Sequence, residues 1–326
     1  MKPETPSASK TYTQPSSHMD DDEDEYDAYN LSEFSAADFS YIDSIVRQHE
    51  YDATTQGTGM PLQSRFSGQD FEKWLGELGK GSFNDEHNNV ILPQALRCST
   101  NNIGDLIDFA YPSIHVVQSD EYFRQHCILA PRESEVHEIN KIALDRFPGA
   151  LHGAWSVNKA IDARTQSPND DFPVELLDSI SPSNFPLAQL SLKVGCPVIF
   201  LRNIGRIPAG CRGIVTKIST RVLEVRILSG QVSGQVVFVP RFPLTITDRD
   251  LPFELHRTQC PLALAFAMTI DKAQGQTFSR AVGIDLRFPC FAHGQLYLAL
   301  SRAQSPAGIK CIVGTNARES KTKNII

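Results

Sequence analysis

The feature that most constrains the fold is an apolar run followed directly by a helical pattern. Residues Cys127–Pro131 (CILAP) have the composition of a buried strand, and apolar residues then recur every three or four positions from Val136 to Phe147. A strand that feeds a helix is half of a β-α-β unit, whose strands pair in parallel. After Pro261 the strand-like runs LALAFAM, AVGIDL and IKCIVG alternate with shorter helical segments. The sequence therefore predicts an α/β fold with a parallel sheet.

Two further helices are predicted before this first strand. Apolar residues between Phe71 and Leu78 have helical spacing, and the glycines that follow end the pattern. A second helix is expected over residues 103–109, where Tyr111-Pro112 ends it.

A different texture separates the two α/β parts. Residues 150–190 are rich in Pro, Ser, Asn and Asp and predict a long connection. The next 55 residues or so hold four or five short strand-like runs, namely LSLKVGCPVIFLRN, RGIVTKIS, RVLEVRIL and QVVFVPRF. Short strands between Gly, Ser and Pro turns favour a small β-barrel. We therefore expect a barrel inserted into an α/β domain.

Charge is distributed unevenly along the chain. Residues 1–62 hold 13 acidic residues, six of them consecutive from Asp20 to Glu25, against three basic ones. Their net charge is −10, so the remainder carries +3 of the total of −7. Such a segment cannot bury enough apolar surface to offset its chain entropy, and we expect a disordered tail with a short helix over 31–46. A solvated tail is favoured over a nucleic-acid mimic or a tether for a basic partner.

Several classes of protein are disfavoured. No run approaches the roughly 18 to 20 apolar residues of a membrane span, so we expect a soluble, intracellular protein without a membrane partner. The 7 cysteines form no C-x-x-C pair, and the 9 histidines show no H-x-x-x-H spacing. We expect reduced thiols and no metal site.

The segment AFAMTIDKAQGQTF (residues 265–278) carries the most suggestive chemistry. A strand ending at Thr269 leads into a turn with Lys272, Gln274, Gly275 and Thr277. Ligands of α/β sheets bind at the carboxyl edge, and hydroxyl, ammonium, amide and glycine groups suit phosphate oxygens. A strand with a surface lysine and a glycine turn, without any ligand, explains the composition about equally well.

The segment HGQLYLALSRA (residues 293–303) places Arg302 at the end of a helix. A positive charge at the carboxyl end of a helix interacts favourably with the helix dipole, and this interaction by itself explains an isolated arginine. The alternative is an arginine finger that stabilises charge on a transferring phosphoryl group.

In this order, with VGIDLR between them, the two segments closely resemble the motor motifs of the PIF-type (petite integration frequency) DNA helicases, particularly the helicase part of Helitron transposons. The resemblance covers nearly all of residues 65–315. It also includes FEKWLGELGKG (71–81), ILPQ (91–94), IGDLIDFAYP (103–112), ILAPRESEVHEIN (128–140), LSLKVGCPVIFLRNI (190–204) and the stretch from VFVPRFPLT to IKCIV (237–313).

The resemblance implies a second RecA-like domain, of the P-loop NTPase type, with an inserted small barrel of the Src-homology-three type. Residues 1–62 would be the acidic tail, 63–178 and 251–318 the two parts of the RecA-like domain, 179–250 the barrel, and 319–326 a flexible C-terminus. The implied activity is ATP-dependent 5'-3' DNA unwinding, in replication, recombination, repair, telomere maintenance or Helitron transposition. The implied location is the nucleus, with the mitochondrion as the alternative.

The resemblance also assigns site residues. Arg302 would be the catalytic arginine finger, and Arg132, Gln274 and Gly275 would face the nucleotide. The residues that would lie on the backbone of single-stranded DNA are Thr269, Lys272 and Thr277.

Some positions depart from the family pattern. Asp271 stands where the family usually has Asn, Ala273 where it has Ser, and Ala292 where a Ser or Thr precedes His-Gly. An acidic side chain beside a DNA phosphate repels it, so we expect weaker DNA contact at this turn. In the barrel, GCRGIV (210–215) replaces the expected Cys-Asn-Gly-Thr-Arg run.

The sequence contains no P-loop. The motif G-x-x-x-x-G-K-[ST] is approached only at Gly79-Lys80, where Gly81 follows and Trp74 takes the place of the first glycine. The main ligands of ATP and Mg²⁺ are therefore absent from this sequence. We expect the isolated chain to lack ATPase activity, and a separate chain carrying the P-loop domain would then be its partner.

Three hypotheses follow. The chain is a truncated or split part of a PIF-type helicase, a non-catalytic module that binds single-stranded DNA or a protein, or a degenerate transposon product. The net charge of +3 outside the acidic tail is a weak electrostatic footprint for a DNA-binding module.

Overall fold

The fold is built around a parallel sheet whose strands come from distant parts of the chain. The computed structural model describes residues 68–162, 164–165, 167–169, 171–246, 251–314 and 320–326. Its α-helices are α1 (Gly68–Gly79), α2 (Ile103–Ala110), α3 (Asp120–Gln125), α4 (Glu133–Arg146), α5 (Val174–Ser179) and α6 (Gln295–Leu300). The predicted acidic tail and the helix expected over 31–46 lie outside the described residues.

Strands outnumber helices in the described residues. In chain order they are β1 (Asn89–Ile91), β2 (His126–Ala130), β3 (His152–Trp155), β4 (Val157–Ile161), β5 (Gln189–Leu192), β6 (Pro197–Phe200), β7 (Arg212–Ile218), β8 (Val222–Ile227), β9 (Val236–Pro240), β10 (Phe242–Ile246), β11 (Glu254–Gln259), β12 (Leu262–Leu264), β13 (Ala267–Thr269), β14 (Ala281–Leu286), β15 (Ile309–Val313) and β16 (Lys321–Lys323).

Strands β13, β2, β14 and β15 form the predicted parallel sheet, in that order. Every residue of β2 and of β14 is buried. Strands buried on both faces appear in a sequence as continuous apolar runs, which is the pattern of CILA and AVGIDL. The prediction of an α/β fold with a parallel sheet is confirmed.

Each face of the sheet packs on its own hydrophobic cluster. Ile128 of β2 contributes to a cluster with residues of α2 and α4, whereas its neighbour Leu129 joins a cluster with residues of α1 and α6. Successive side chains of a strand point to opposite faces, so the two clusters cover the two sides of the sheet. The predicted helices over 71–78, 103–109 and 136–147 are confirmed as α1, α2 and α4.

Antiparallel strands occupy the chain between α4 and β13. One sheet has the strand order β12-β6-β7-β8-β9, another the order β10-β11-β4, and β3 pairs with β5. The strand-like runs predicted after residue 190 are confirmed. The antiparallel strands run from residue 152 to residue 264, and the bounds 179–250 for an inserted barrel stay a prediction.

Two predictions of local structure were wrong. Residues 150–190 were expected to form a long connection, but they contain β3, β4 and α5, whose strands find their partners far along the chain. The run LALAFAM was expected to be one strand, but it is divided between β12 of an antiparallel sheet and β13 of the parallel sheet. In both cases the strands form because they pair with strands distant in the sequence. Such pairing leaves no pattern within the segment itself, so the sequence did not predict it.

The end of the chain also forms regular structure. Where a flexible C-terminus was expected, β16 pairs with β1. The fully buried side chain of Asn324 donates to Leu78 O at 2.8 Å, and Gly294 N donates to Ile325 O at 2.8 Å. The last residues therefore tie the end of α1 to the start of α6.

A buried arginine joins the antiparallel strands to the parallel sheet. Arg212 of β7 is only 2% exposed. Its Nη1 donates to Phe123 O at 3.0 Å, and its Nη2 donates to Ala265 O at 3.1 Å and to His126 O at 3.5 Å. Phe123 O and His126 O lie just before and at the start of β2, and Ala265 O lies just before β13. One guanidinium therefore donates to carbonyl oxygens at the amino ends of two parallel strands.

We predict that Arg212→Met destabilises the chain by about 2 to 4 kcal/mol, because buried carbonyl acceptors lose their donors. The measurement is the free energy of unfolding from denaturant titration. Arg221→Met is the matched control, since Arg221 is exposed beside β8 and its replacement removes the same charge. Equal stability of the two variants would contradict the role of Arg212 as the joint.

Candidate functional site

The carboxyl ends of three parallel strands gather charged side chains at one edge of the sheet. Strand β2 leads to Arg132, β13 to Lys272 and β14 to Arg287. Thr269 lies opposite Ala130 in the register of β13 and β2. Because adjacent parallel strands end at the same edge, residues from distant parts of the sequence become neighbours there.

Arg132 is the residue that immediately precedes α4. Its backbone is extended, its side chain is exposed, and its guanidinium carbon lies 5.1 Å from the centroid of the Phe288 ring. A cation over an aromatic face is attracted by the ring quadrupole. The contact joins the ends of β2 and β14 and leaves the guanidinium accessible to an anion.

Lys272 is held by an acidic residue of α4. Its Nζ lies 2.5 Å from Glu133 Oε1, and the two side chains are 19% and 27% exposed. The other oxygen of Glu133 lies 4.0 Å from His137 Nε2, one turn along the helix. Burial lowers the pKa of His137, with Glu133 raising it and Lys272 lowering it. The lysine proposed for DNA is therefore already paired within the protein.

Arg287 forms the second charged group of this edge. Its guanidinium donates to Asp285, which is fully buried, and to Glu138 of α4, both at 2.8 Å. The hydrogen bonds with Asp285 and then with Glu138 raise the pKa of Arg287. Two carboxylates neutralise this arginine, so its described contacts give it a structural role that fastens α4 to β14.

The segment after Lys272 leaves the sheet edge through a glycine. The short helical segment expected after β13, around residues 271–274, is a single 3-10 turn, Asp271–Ala273, and Gly275 follows with φ +76°. Such a φ favours glycine, since a Cβ would be strained there. Gln274, Gly275 and Thr277 are exposed, whereas Thr269 is only 7% exposed.

Gln276 ties this segment to its surroundings. Its Nε2 donates to Lys272 O at 3.1 Å and reaches Gly210 O, in the turn before β7, at 3.5 Å. The segment thus lies against both the sheet edge and the antiparallel part.

Arg302 lies against the same segment. Its Nη1 donates to Gln276 O at 3.1 Å and its Nε to Leu298 O at 3.1 Å. The backbone N–H of Phe278 donates to Arg302 O at 2.8 Å. The two segments singled out in the sequence are therefore brought together. Arg302 itself is half-buried at the end of α6.

Asp271 faces inward beside Lys272. Burial raises the pKa of its carboxyl, and the nearby Gln295 side chain and Lys272 offset part of this effect. The ionised form is therefore disfavoured in the folded chain relative to water. Only the ionised form of this half-buried carboxyl repels a phosphate. The raised pKa of Asp271 therefore reduces the repulsion that was expected at this turn.

The predicted residues fall into two groups. Arg132, Lys272 and the exposed Gln274 and Gly275 lie at or next to the carboxyl edge, while Arg302 contacts the chain just beyond them. Their roles stay predictions. Glu133 and Phe288 were not singled out from the sequence. Glu133 directly follows Arg132 in the sequence, and this position is the signal by which it could have been found. Its contact with Lys272 depends on the pairing of β2 with β13, which the sequence does not show.

Parts of this chain are similar to known proteins. Residues 175–218 match the family described as DNA helicase Pif1, 2B domain. The human ATP-dependent DNA helicase PIF1 is 31% identical over 191 residues, covering 56% of this chain and 26% of the human protein. The Pif1 helicase of Bdellovibrio bacteriovorus is 37% identical over 136 residues, covering 41% of this chain and 29% of that protein.

The chain is similar to part of the Pif1-type DNA helicases. It spans between a quarter and a third of the length of these two relatives. The 2B match covers α5 to β7, within the antiparallel part of the fold.

Solved structures of Pif1-type helicases are similar to this chain. One is the Pif1 helicase from Bacteroides in complex with ADP-AlF3 and ssDNA, which is 24% identical with a TM-score of 0.49. The similarity covers 80% of this chain and 52% of that one. Another is Pif1 from Candida albicans, 23% identical with a TM-score of 0.48, covering 77% of this chain and 55% of that one.

Neither a membrane-spanning helix nor a metal-binding cluster occurs among the described residues. Their helices are all too short or too polar to cross a bilayer. Within the same part of the chain, no group of three His, Cys, Asp or Glu side chains is arranged to hold a metal ion.

We predict that Asp271→Asn stabilises the chain at neutral pH. The raised pKa of Asp271 means that the folded state penalises its ionised form. The penalty is absent below the ordinary pKa near 3.8 and reaches its full size as the pH rises through the folded-state value. The variant should therefore raise the melting temperature by a few degrees at pH 7 and by less at pH 4.

Asp85→Asn is the matched control with the opposite sign. Backbone hydrogen bonds, first from Asn89, lower the pKa of Asp85 to about 2, so its ionised form favours folding. This control should lower the melting temperature at pH 7. A loss of stability in Asp271→Asn at pH 7 would contradict the assignment of Asp271 as a penalised carboxylate.

Proposed function

We propose that this chain supplies the second RecA-like half of a Pif1-type motor, which contributes to ATP-dependent DNA unwinding together with a P-loop domain from elsewhere. The observation that carries the proposal is the contact of Arg302 with Gln276, since it unites the two segments most similar to helicase motifs. The similarity to proteins named ATP-dependent DNA helicase supports the same function.

In this proposal Arg302 is the arginine finger. A guanidinium that reaches the terminal phosphate stabilises the charge of the transition state and contributes about 10³ to 10⁵ in rate. Arg302 is held by Leu298 O and Gln276 O, which fix the direction of a long and flexible side chain. It would act when a nucleotide-bearing domain meets this surface.

The nucleotide and its metal would be held mostly by that other domain. On this chain, Arg132 is exposed at the sheet edge, and Gln274 and Gly275 are exposed beyond it. These groups suit phosphate oxygens, because a guanidinium and an amide donate hydrogen bonds and glycine lets the backbone approach closely. ATP and Mg²⁺ thus belong to the proposal through the joined site.

Single-stranded DNA would lie across the same edge. Thr277 is exposed and Lys272 is partly exposed, so a hydroxyl and an ammonium are within reach of a backbone phosphate. Thr269 is nearly buried at the end of β13, so it would contribute less to such contacts than the other two. A nuclear or mitochondrial location follows from this role and is part of the proposal.

We predict that the full chain binds a single-stranded oligonucleotide and that Lys272→Gln weakens this binding about threefold to tenfold. The expected reason is the loss of one phosphate contact, which also makes the salt dependence less steep by about 0.7 in log–log slope. Fluorescence anisotropy across a salt series measures both. Lys217→Gln is the control, because Lys217 is exposed on β7 and its replacement removes the same charge. Equal effects of the two substitutions would contradict a specific contact at Lys272.

We predict that the isolated chain shows no DNA-stimulated ATPase activity above background, since its sequence has no P-loop to bind the phosphates. Phosphate release with and without single-stranded DNA is the measurement. Arg302→Ala serves as the reference for contaminating activity. Turnover by the chain that is lost in Arg302→Ala would contradict the need for a separate P-loop domain.

The alternative is a non-catalytic module that binds single-stranded DNA. The net charge of +3 outside residues 1–62 and the absence of a P-loop motif from the sequence support it. DNA binding that persists while addition of a P-loop domain restores no turnover would support the module.

A further inference from the structure

The turn with Lys272 and the first turn of α4 meet in one ion pair. Lys272 follows β13 and Glu133 follows β2, and these two strands are hydrogen-bonded neighbours. The Nζ and Oε1 atoms lie 2.5 Å apart, so the lysine donates directly to the carboxylate in a charge-assisted hydrogen bond. The pair therefore joins the two turns that the proposed function assigns to phosphate binding.

The pair is partly shielded from water and still open to it. The side chains of Lys272 and Glu133 are 19% and 27% exposed. Charges in such a position are screened less than charges on an open surface, so their attraction is stronger. A ligand can nevertheless reach both groups, because neither is fully buried.

The carboxylate of Glu133 belongs to the first turn of α4, where negative charge is favoured. Glu133 is the first residue of α4, and the first-turn amides of a helix together with its dipole favour negative charge. One carboxylate oxygen accepts from Lys272 and the other faces His137. The side chain thus presents to Lys272 the same kind of negative oxygen that a phosphate would present.

Two other acidic groups nearby differ in their partners. Glu138 of α4 is paired with Arg287, which Asp285 also holds, and Asp271 is half-buried with a raised pKa. Glu133, by contrast, contacts Lys272 directly. Its removal therefore changes the charge partner of the lysine and leaves the Arg287 group intact.

We propose that Glu133 is an internal competitor of phosphate for Lys272 and that it sets the affinity of this edge for single-stranded DNA. The inference rests on the proposed function, since it concerns the same edge. A backbone phosphate that contacts Lys272 must displace Glu133 or share the ammonium with it, and either event weakens binding. The residue thus lowers affinity without touching the DNA itself.

The test compares Glu133→Gln with Glu138→Gln in the full chain. Both substitutions lie on α4 and remove one negative charge, but only the first frees Lys272. The probe is a fluorescent oligothymidylate followed by anisotropy at fixed low salt. Glu133→Gln should bind about threefold to tenfold more tightly than the wild-type chain, the size expected for loss of a partly exposed ion pair, and Glu138→Gln should bind nearly as the wild type.

A second background isolates the lysine. In Lys272→Gln the further change Glu133→Gln should give no gain beyond that of Glu138→Gln, because no ammonium remains to be released. Melting temperatures of all variants show that each is folded. A gain of equal size in the Lys272→Gln background overturns the proposal, since general electrostatics would then explain it.

The remaining outcomes separate the two claims. If the wild type binds DNA and Glu133→Gln binds equally or more weakly, the competitor role is overturned while the proposed function stands. In that case Glu133 orients Lys272. If neither the wild type nor any variant binds at low salt, the proposed DNA-binding function fails and takes this inference with it. Binding by Glu133→Gln alone supports both.

Discussion

The parallel pairing of β13 with β2 is the constraint on which the rest of the structure depends. It sets Thr269 opposite Ala130, although most of the antiparallel strands lie between them in the chain. A parallel connection cannot be a tight turn, so the chain between the two strands must cross over and return. Helix α4 begins that crossover and the antiparallel strands complete it. The meeting of Lys272 with Glu133 follows directly from this pairing.

A second consequence is that the antiparallel part must be fastened to the sheet. Arg212 does this with a buried positive charge that carbonyl oxygens satisfy. Its guanidinium carbon also lies 5.5 Å from the centroid of the Phe278 ring, and the backbone N–H of Phe278 donates to Arg302 O. A contiguous set of contacts therefore leads from β7 to the proposed finger.

Much of the fold was predictable because its signals are local. The apolar run CILA and the three-to-four spacing after it predicted β2 and α4, and both are present. The strands at 152–161 were missed because their partners lie far along the chain, so no pattern within them marks the pairing. The run LALAFAM was divided for the same reason, since two different sheets include its two ends.

The candidate site was predictable only in part. Resemblance to helicase motifs selected Lys272, but the carboxylate that pairs with it was not predicted, because the sequence does not say which strands are adjacent.

The amino-acid sequence by itself determined the α/β class, the placement of most helices and strands, and the similarity to Pif1-type helicases. These follow from periodicity and from motif order, which are properties of short stretches of chain. Only the tertiary structure decided that Glu133 neutralises Lys272, that Arg212 fastens two sheets together and that Gln276 holds Arg302. Such contacts depend on how strands from distant segments are ordered in space, and charge interactions act over a few ångströms whatever the separation along the chain.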